Sequence, residues 1–380
     1  MLAWEVVFWL CAGLLAYAQA GYPLVLAALA RLRRARAAPA PTAEPAAAAP
    51  PSVSLIVAAY DEEAVIARKV ANALALDYPR DKLEIVVASD GSGDATALEA
   101  RRAGADLVLE LERGGKIRAQ DAAVARSHGE IVAFSDANSI WERDALRRLV
   151  AAFADPGVGY ACGQVRFVND AGTNQEGLYW RYEMALRALE SRLGSVTAGN
   201  GAIYATRRES YIEVDPIMGH DLSFPFNMVK RGWRAVYVPQ ARATEKMVPS
   251  IEGEFARKRR MMSHAWPIVL RGGLLSPRGY PPLYALMIVS HRVLRYVAPF
   301  LHLGALVASF ALGASSTFYA VALALQLALI VAAMLGRIYP LRPLLVIRYY
   351  VLTTASVAAG LWDWLRHGTP AGWEAAEGTR

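Results

Sequence analysis

The stretch Ile131 to Ser139, IVAFSDANS, is an apolar run that stops abruptly at Asp136, a spacer and Asn138. An acid and an amide one residue apart present two oxygen ligands, although the triplet also fits a plain strand end and turn. Two more apolar runs stop at acids, VSLIVAAY just before Asp61 and EIVVASD at Asp90. Asp90-Gly91-Ser92-Gly93-Asp94 is a tight turn whose acceptors suit a ribose or a base. It equally fits a Gly/Ser turn with Asp94 as a helix N-cap. Lys116 follows Gly114-Gly115 where a helix could start, and Ala198 to Ala202, AGNGA, would allow close backbone approach or form an ordinary glycine turn. Neither a Walker A motif nor a GxGxxG after the first strand is present, so the usual phosphate-cradling loops are missing.

Positioning these acids requires strands. Val53–Tyr60, Glu84–Asp90, Asp106–Leu111 and Glu130–Asp136 are short apolar runs separated by helical stretches, the pattern of right-handed βαβ units around a parallel sheet. In such sheets ligands bind outside the carboxyl ends of the strands, so Asp61, Asp90 and Asp136 are expected to converge on one crevice. Clustered acids repel unless something positive sits among them. A dinucleotide oxidoreductase would need glycines where Tyr60-Asp61-Glu62-Glu63 stands, which argues against that class.

The remainder of the chain points to a membrane. Hydrophobic residues make up 55% of the 380 residues, with the excess at the two ends. Val6 to Ala30 is nearly uncharged, long enough to span, and followed by RLRRAR at Arg31 to Arg36. Ala18-Gln19-Ala20-Gly21 resembles a signal cleavage site, but the basic cluster lies after the apolar run, which favours a retained anchor with its arginines cytoplasmic. Ala37 to Pro51 reads as an Ala/Pro linker. Tyr284 to Tyr296 carries His291, Arg292 and Arg295 and is expected to lie in the interface. Val297–Ser315 and Thr317–Leu335 read as spans; Leu344–Leu365 is a third candidate, weakened by Arg348. The expected organisation is thus an anchor at 1–36, a linker at 37–52, an α/β domain at 53–271, an interfacial segment at 272–296, spans within 297–366 and a tail at 367–380. The net charge of +7 sits in clusters flanking apolar segments, which suits membrane lipids as partners rather than nucleic acid. Two cysteines, Cys11 and Cys162, indicate neither a disulfide framework nor a cysteine metal site.

Seven motifs in order carry a more specific signal: VAAYDEE (Val57–Glu63), ASDGSGDAT (Ala88–Thr96), RGGK (Arg113–Lys116), FSDANS (Phe134–Ser139), AGNGAIYATRRESY (Ala198–Tyr211), GHDLSFP (Gly219–Pro225) and EFARKRR (Glu254–Arg260). Over Val53 to Arg271 they resemble the membrane-integrated family 2 glycosyltransferases, the group of the hyaluronan, cellulose and poly-N-acetylglucosamine synthases. The resemblance implies a GT-A, Rossmann-like cytoplasmic domain with a mostly parallel sheet, flanked by transmembrane helices in the cell (inner) membrane. It implies an inverting enzyme that takes a sugar from a nucleotide-diphosphate donor, with a UDP-sugar favoured, to a glycan or lipid-linked acceptor of the cell surface. By the same matching, Asp61 and Asp90 lie beside the base and ribose, and Lys116 lies near the diphosphate. Asp136 and Asn138 correspond to the DxD metal site and Asp221 to the general base of the TED motif. Gly199 and Asn200 fall near the acceptor, and Arg257 and Arg260 stand where the QxxRW motif would be.

The chemistry asks for these types. A departing diphosphate must be neutralised, which Mg2+ or Mn2+ on oxygen ligands and a cationic side chain can do. A base at the acceptor hydroxyl would need its pKa raised from the ordinary 3.9 or so of a free Asp. The chain departs from the family pattern at three places. DxD becomes Asp136-Ala137-Asn138, TED becomes Gly219-His220-Asp221, and the Gln and Trp of QxxRW are absent, with Met261 after Arg260. His220 could tune the base or fill space, and Arg257–Arg260 could be a basic membrane-facing surface. Asn174–Arg192 reads as an amphipathic helix whose Tyr179, Trp180 and Tyr182 could stack a sugar or pack in the core. These departures keep two alternatives open: single-sugar transfer to a polyprenyl-linked acceptor, and a catalytically silent nucleotide-binding scaffold.

Overall fold

The computed structural model describes residues 1–36, 49–168, 177–246, 248, 250–370 and 372. The linker from 37 to 48, the first residues of the 174–192 segment and the tail from 373 lie outside the described residues. The chain forms two compact units, one of Leu26–Pro249, Leu270–Ala285 and Pro370–Arg380, the other of Met1–Val25, Ser250–Val269 and Leu286–Thr369.

The larger unit is built on an eight-stranded sheet: β1 Val53–Ala59, β2 Leu83–Asp90, β3 Leu107–Leu111, β4 Ile131–Asp136, β5 Ile140–Trp141, β6 Val158–Val168, β7 Ile203–Arg207 and β8 Arg234–Lys246. Their order is β3-β2-β1-β4-β7-β6-β8-β5. The first four in that order run parallel, β7 is antiparallel to both neighbours, and β6 and β8 are parallel to each other. The near-continuous apolar runs have a simple cause. Successive strand residues face opposite sides, and here both sides are covered. Leu55, Ile85 and Ala133 enter one core while Ile56, Val86, Val132 and Phe134 enter another. Each of the Leu, Ile, Val and Phe side chains contributes roughly 1.5–3 kcal/mol when fully buried, which fixes the register of the strands that end in acids.

The smaller unit is helical. Four helices among the described residues are long and apolar enough to cross a membrane: Leu2–Arg33, Pro282–Leu312, Thr317–Ile338 and Arg342–His367. Within the unit Phe8 packs with Ala308 and Leu312, and Trp9 stacks on Phe318 at 5.5 Å. The interfacial helix expected at Tyr284–Tyr296 is instead continuous with the following span. A π-helical turn at Ile288–Val293 carries the helix through His291 and Arg292, both of which are buried. Arg348 is accommodated in the last helix because its guanidinium meets Glu252 Oε1 at 2.6 Å and the Ala333 carbonyl at 3.1 Å. A paired charge inside an apolar segment is far cheaper than a bare one.

Candidate active site

β2, β1 and β4 are parallel neighbours, so their carboxyl ends open on one edge of the sheet. The register sets Ala58 level with both Ala88 and Asp136, leaving Asp90 two residues farther out on β2 and Asp61 just past the end of β1. The strand order reverses between β1 and β4, which is where a ligand crevice opens in such sheets. The structure therefore brings the three acids to one edge.

On the β1–β2 side the acids are held by backbone. Asp61 sits at φ 49°, a left-handed conformation that Asp tolerates better than most residues. Its N–H donates to Ser92 Oγ at 3.1 Å and its carboxylate accepts the Gly93 N–H at 2.8 Å. Asp90 is buried and accepts the Gly114 N–H at 2.7 Å, the Gly115 N–H at 2.9 Å and Arg113 Nη1 at 3.1 Å. Its carboxylate thus caps the positive end of the helix Lys116–Arg126. Gly91, at φ 69°, is required here, because a Cβ would fall 2.7 Å from the Arg113 nitrogen. The Arg113 guanidinium lies over the Tyr60 ring, 3.2 Å from its centroid. Asp94 accepts the Thr96 N–H at 3.0 Å and the Glu63 N–H at 3.1 Å, but the N-cap of the helix Thr96–Arg102 is Ala95, one residue later than the sequence suggested.

On the β4–β7 side the carboxylates face charged or open surroundings. Asp136 forms an ion pair with Lys116, both side chains being partly buried. Because β7 runs antiparallel to β4 with Ser135 opposite Ile203, the loop Ala198–Ala202 lies beside Asp136. A Cβ on Gly201 would stand 3.2 Å from Lys116 Nζ. The Asn200 side chain is used within its own loop: Oδ1 accepts the Ala202 and Ile203 N–H groups at 3.2 and 2.9 Å, and Nδ2 donates to the Gly163 carbonyl at 2.7 Å. Gly199 is pressed against Tyr160, whose hydroxyl would lie 1.8 Å from a Cβ there. Its N–H donates to the Asp221 carbonyl at 2.7 Å, which seats the first turn of the helix His220–Lys230 against the glycine loop. Gly219 leaves room for the Asp221 carboxylate, since a Cβ would fall 2.7 Å from Oδ1.

His220 fills the core beneath the loop. It is buried, bonded through Nδ1 to the Tyr204 hydroxyl at 2.8 Å and stacked on Phe224 at 3.8 Å between centroids. Burial pushes its pKa well below the ordinary imidazole value and the nearby Lys116 charge adds to this, so the ring is neutral at pH 7. Trp180 likewise packs inward, edge-on to Phe167 and donating to the Val165 carbonyl at 3.2 Å. Arg257 and Arg260 belong to the helical unit, where Arg257 pairs with Glu254 at 2.8 Å.

Two residues, the buried Lys69 and the half-buried Asn72, escaped the reading of the sequence. Lys69 and Asn72 stand on the helix Glu63–Leu74 under the Asp136 loop, Lys69 on the same stripe as Val65, Ile66, Val70 and Ala73. A lysine on an apolar helical stripe was the available signal. Burial lowers its pKa to about 7, opposed by the charges of Asp136 and Glu245.

A divalent ion fits the donor set only in part. Asp136 and Asn138, two residues apart, carry side-chain oxygens that could serve as ligands, and among the described residues no three His, Cys, Asp or Glu side chains form a shell by themselves. That is the donor set of an ion whose remaining ligands arrive with a bound diphosphate.

The sequence profile described as "Glycosyltransferase like family 2" matches residues 50–263, more than half of the chain. The chain belongs to this family. This glycosyltransferase is 30% identical over 230 residues to an N-acetylglucosaminyltransferase of Rhizobium sp. (strain N33), an alignment covering 55% of this chain and 51% of the relative. It is 34% identical over 220 residues to a beta-monoglucosyldiacylglycerol synthase of Synechocystis sp., covering 53% of this chain and 45% of the relative. The chain thus spans about half the length of these curated relatives. A mannosyltransferase from Pyrobaculum calidifontis, solved with GDP-mannose and Mn2+, superposes with a TM-score of 0.70 at 26% identity, covering 95% of this chain and 99% of that one. The glycosyltransferase is therefore a GT-A enzyme whose α/β domain is flanked by apolar helices.

Proposed function

We propose that this glycosyltransferase transfers a sugar, with inversion, from a nucleoside-diphosphate donor to a membrane-borne acceptor at the cytoplasmic face of the inner membrane. The observation that carries this reading is the convergence of Asp61, Asp90 and Asp136 at the carboxyl ends of neighbouring strands, with Lys116 on Asp136 and Asp221 beside the glycine loop. In this reading the Arg113 guanidinium over the Tyr60 ring frames a slot for the base, and Asp61 and Asp90 order the loops that receive base and ribose. Asp136 and Asn138 hold Mg2+ or Mn2+, which when bound supplies charge neutralisation of the diphosphate. Lys116 adds a second positive charge to the leaving group. Asp221 accepts the proton of the acceptor hydroxyl as that oxygen bonds to the anomeric carbon. The bond from that carbon to the diphosphate oxygen breaks, and the nucleoside diphosphate departs with the bonding pair. The glycine loop seats Asp221, and the absence of a side chain at Gly201 lets the loop approach Lys116 closely.

A second reading, single-sugar transfer to a lipid hydroxyl, is favoured by the Synechocystis relative's name and by the absence of the Gln and Trp of QxxRW, where Arg257 to Arg260 is followed by Met261. Both readings are tested by one screen. Detergent-purified enzyme is incubated with UDP-, GDP- and dTDP-sugars and Mn2+ or Mg2+, with and without polyprenyl phosphate or diacylglycerol. Release of nucleoside diphosphate from one donor, lost with chelator, is expected; stimulation by a lipid with a single-sugar product selects the second reading. No release and no donor binding would replace both with a nucleotide-binding scaffold.

A further inference from the structure

The loop carrying Asp136 and Asn138 is pinned at both ends by side chains that no part of the proposed chemistry uses. Before it, the Ser135 hydroxyl is shared between the Asp136 carbonyl at 3.1 Å and the Ala202 carbonyl at 3.2 Å. After it, Lys69 Nζ donates to the Ser139 carbonyl at 2.7 Å and lies 5.1 Å from the centroid of the Trp141 ring. Three residues along the same helix, Asn72 bonds Trp141 twice, with Nδ2 to its carbonyl at 2.9 Å and Oδ1 from its N–H at 2.9 Å. Trp141 is buried, and its Nε1 donates at 3.0 Å to the same Ala202 carbonyl that Ser135 uses. Inside the loop, the Ser139 N–H closes on the Asp136 carbonyl at 3.2 Å. One carbonyl of the glycine loop therefore receives both flanks of the metal loop, and one helix face clamps its far end.

A lysine is an expensive way to fill a core. A fully buried ammonium loses its hydration, and an apolar residue of similar length would fill the same space at less cost. The buried amine donates to a loop carbonyl one residue from Asn138, and Asn72 reproduces strand-like pairing where β5 is only two residues long. Both devices act on the same short segment.

We infer that Lys69, Asn72 and Trp141 are positioning residues that hold the Asp136–Asn138 loop in the geometry a divalent cation needs and in register with the glycine loop. This rests on the reading of Asp136 and Asn138 as metal ligands. Residues that support ligands from outside the coordination shell typically change metal affinity by about 10- to 100-fold when removed.

The test uses full-length enzyme in detergent. Mn2+ binding is followed by loss of the free-ion EPR signal with UDP or GDP present, and each variant is also melted. Lys69→Met keeps the length and removes the donor; Trp141→Phe keeps most of the ring and removes only the N–H to Ala202. Lys69→Met is expected to weaken Mn2+ binding at least about 10-fold with an unchanged or higher Tm, and Trp141→Phe to weaken it several-fold. Mn2+ titrations equal to wild type in both variants, with or without a fall in Tm, would reduce these residues to packing and overturn the inference. Asp136→Ala separates the two levels. If it loses Mn2+ while Lys69→Met retains it, only the positioning role fails. If Asp136→Ala binds Mn2+ like wild type, the metal reading fails and takes the inference with it.

Discussion

The two halves of the sheet edge hold their acids in different ways. On the β1–β2 side Asp61 and Asp90 are anchored by backbone amides of the turns that follow each strand, with the Arg113 side chain on Asp90 as well. On the β4–β7 side Asp136 pairs with the Lys116 side chain, and Asp221 rides on the first turn of a helix seated by Gly199. Amide donors cannot leave without unmaking the loop, whereas an ammonium can move to a phosphate. In the proposed function the difference assigns the first side a constant task, shaping a nucleotide slot, and the second a change of charge during each turnover.

The most severe way to break this contrast is Asp221→Asn, which keeps shape and removes the proton acceptor. Transfer is expected to fall by at least about 10^2- to 10^4-fold, the usual contribution of a positioned base. Nucleoside-diphosphate binding, measured calorimetrically with Mn2+, should stay within about twofold if the transfer side is separate from the slot. A variant retaining full turnover would remove Asp221 from the mechanism.

Asp90→Asn attacks the other side. Only one of its side-chain oxygens survives as an acceptor, so the Gly114, Gly115 and Arg113 donors cannot all be satisfied. Bonds to a charged group contribute about 1.5–3 kcal/mol each, and the expected result is a lower Tm together with weaker nucleotide binding. If binding weakens with no change in Tm, Asp90 contacts the nucleotide directly and the contrast between the two sides is wrong. Gly199→Ala should cost about 1–3 kcal/mol through overpacking, because the new methyl meets the Tyr160 hydroxyl. Since that strain falls under Asp221, kcat should drop more than donor KM rises; the reverse split would place the loop on the donor side.

How much of this was legible follows the same division. The strands could be read because burial on both faces leaves uninterrupted apolar runs, and their terminal acids could be read because polarity changes abruptly there. The partners of those acids could not. Nothing local shows that the Gly114 and Gly115 amides close on Asp90, or that Asn200 spends its amide on Gly163 and its own loop. Lys69 was hidden for a related reason: a lysine is ordinarily a surface residue, and only tertiary packing shows that its stripe faces the Asp136 loop. His220 sits beside Asp221 in sequence, yet helical geometry turns its ring into the core against Phe224. The helix running through Ile288–Val293 was likewise broken too early in the sequence reading, because His291 and Arg292 look interfacial until their burial is seen.

The smallest expected effect concerns the tie between the two sides. Asp121, on the helix that begins at Lys116, accepts the Tyr211 hydroxyl at 2.6 Å, and the Tyr211 ring stacks on Phe134 and meets His220 edge-on. Burial raises the Asp121 pKa to about 6, with the Glu213 charge adding and the Tyr211 bond opposing. The native state therefore holds this proton more tightly than the unfolded chain between the ordinary carboxylate value of 3.8 and about 6. By linkage, stability from this group is fully present below that window, falls as pH rises through it, and stays lower at pH 7. Asp121→Asn keeps an acceptor for Tyr211 and removes the ionisation. It should raise stability at pH 7 by about 1 kcal/mol, after allowing for partial exposure, and flatten the Tm profile between pH 4 and pH 6. Parallel Tm profiles for the variant and the wild type would show that Asp121 ionises freely. The link between the helix of Lys116 and the core under Asp221 would then rest on packing alone, and the two sides would be more independent than the Tyr211 bond implies.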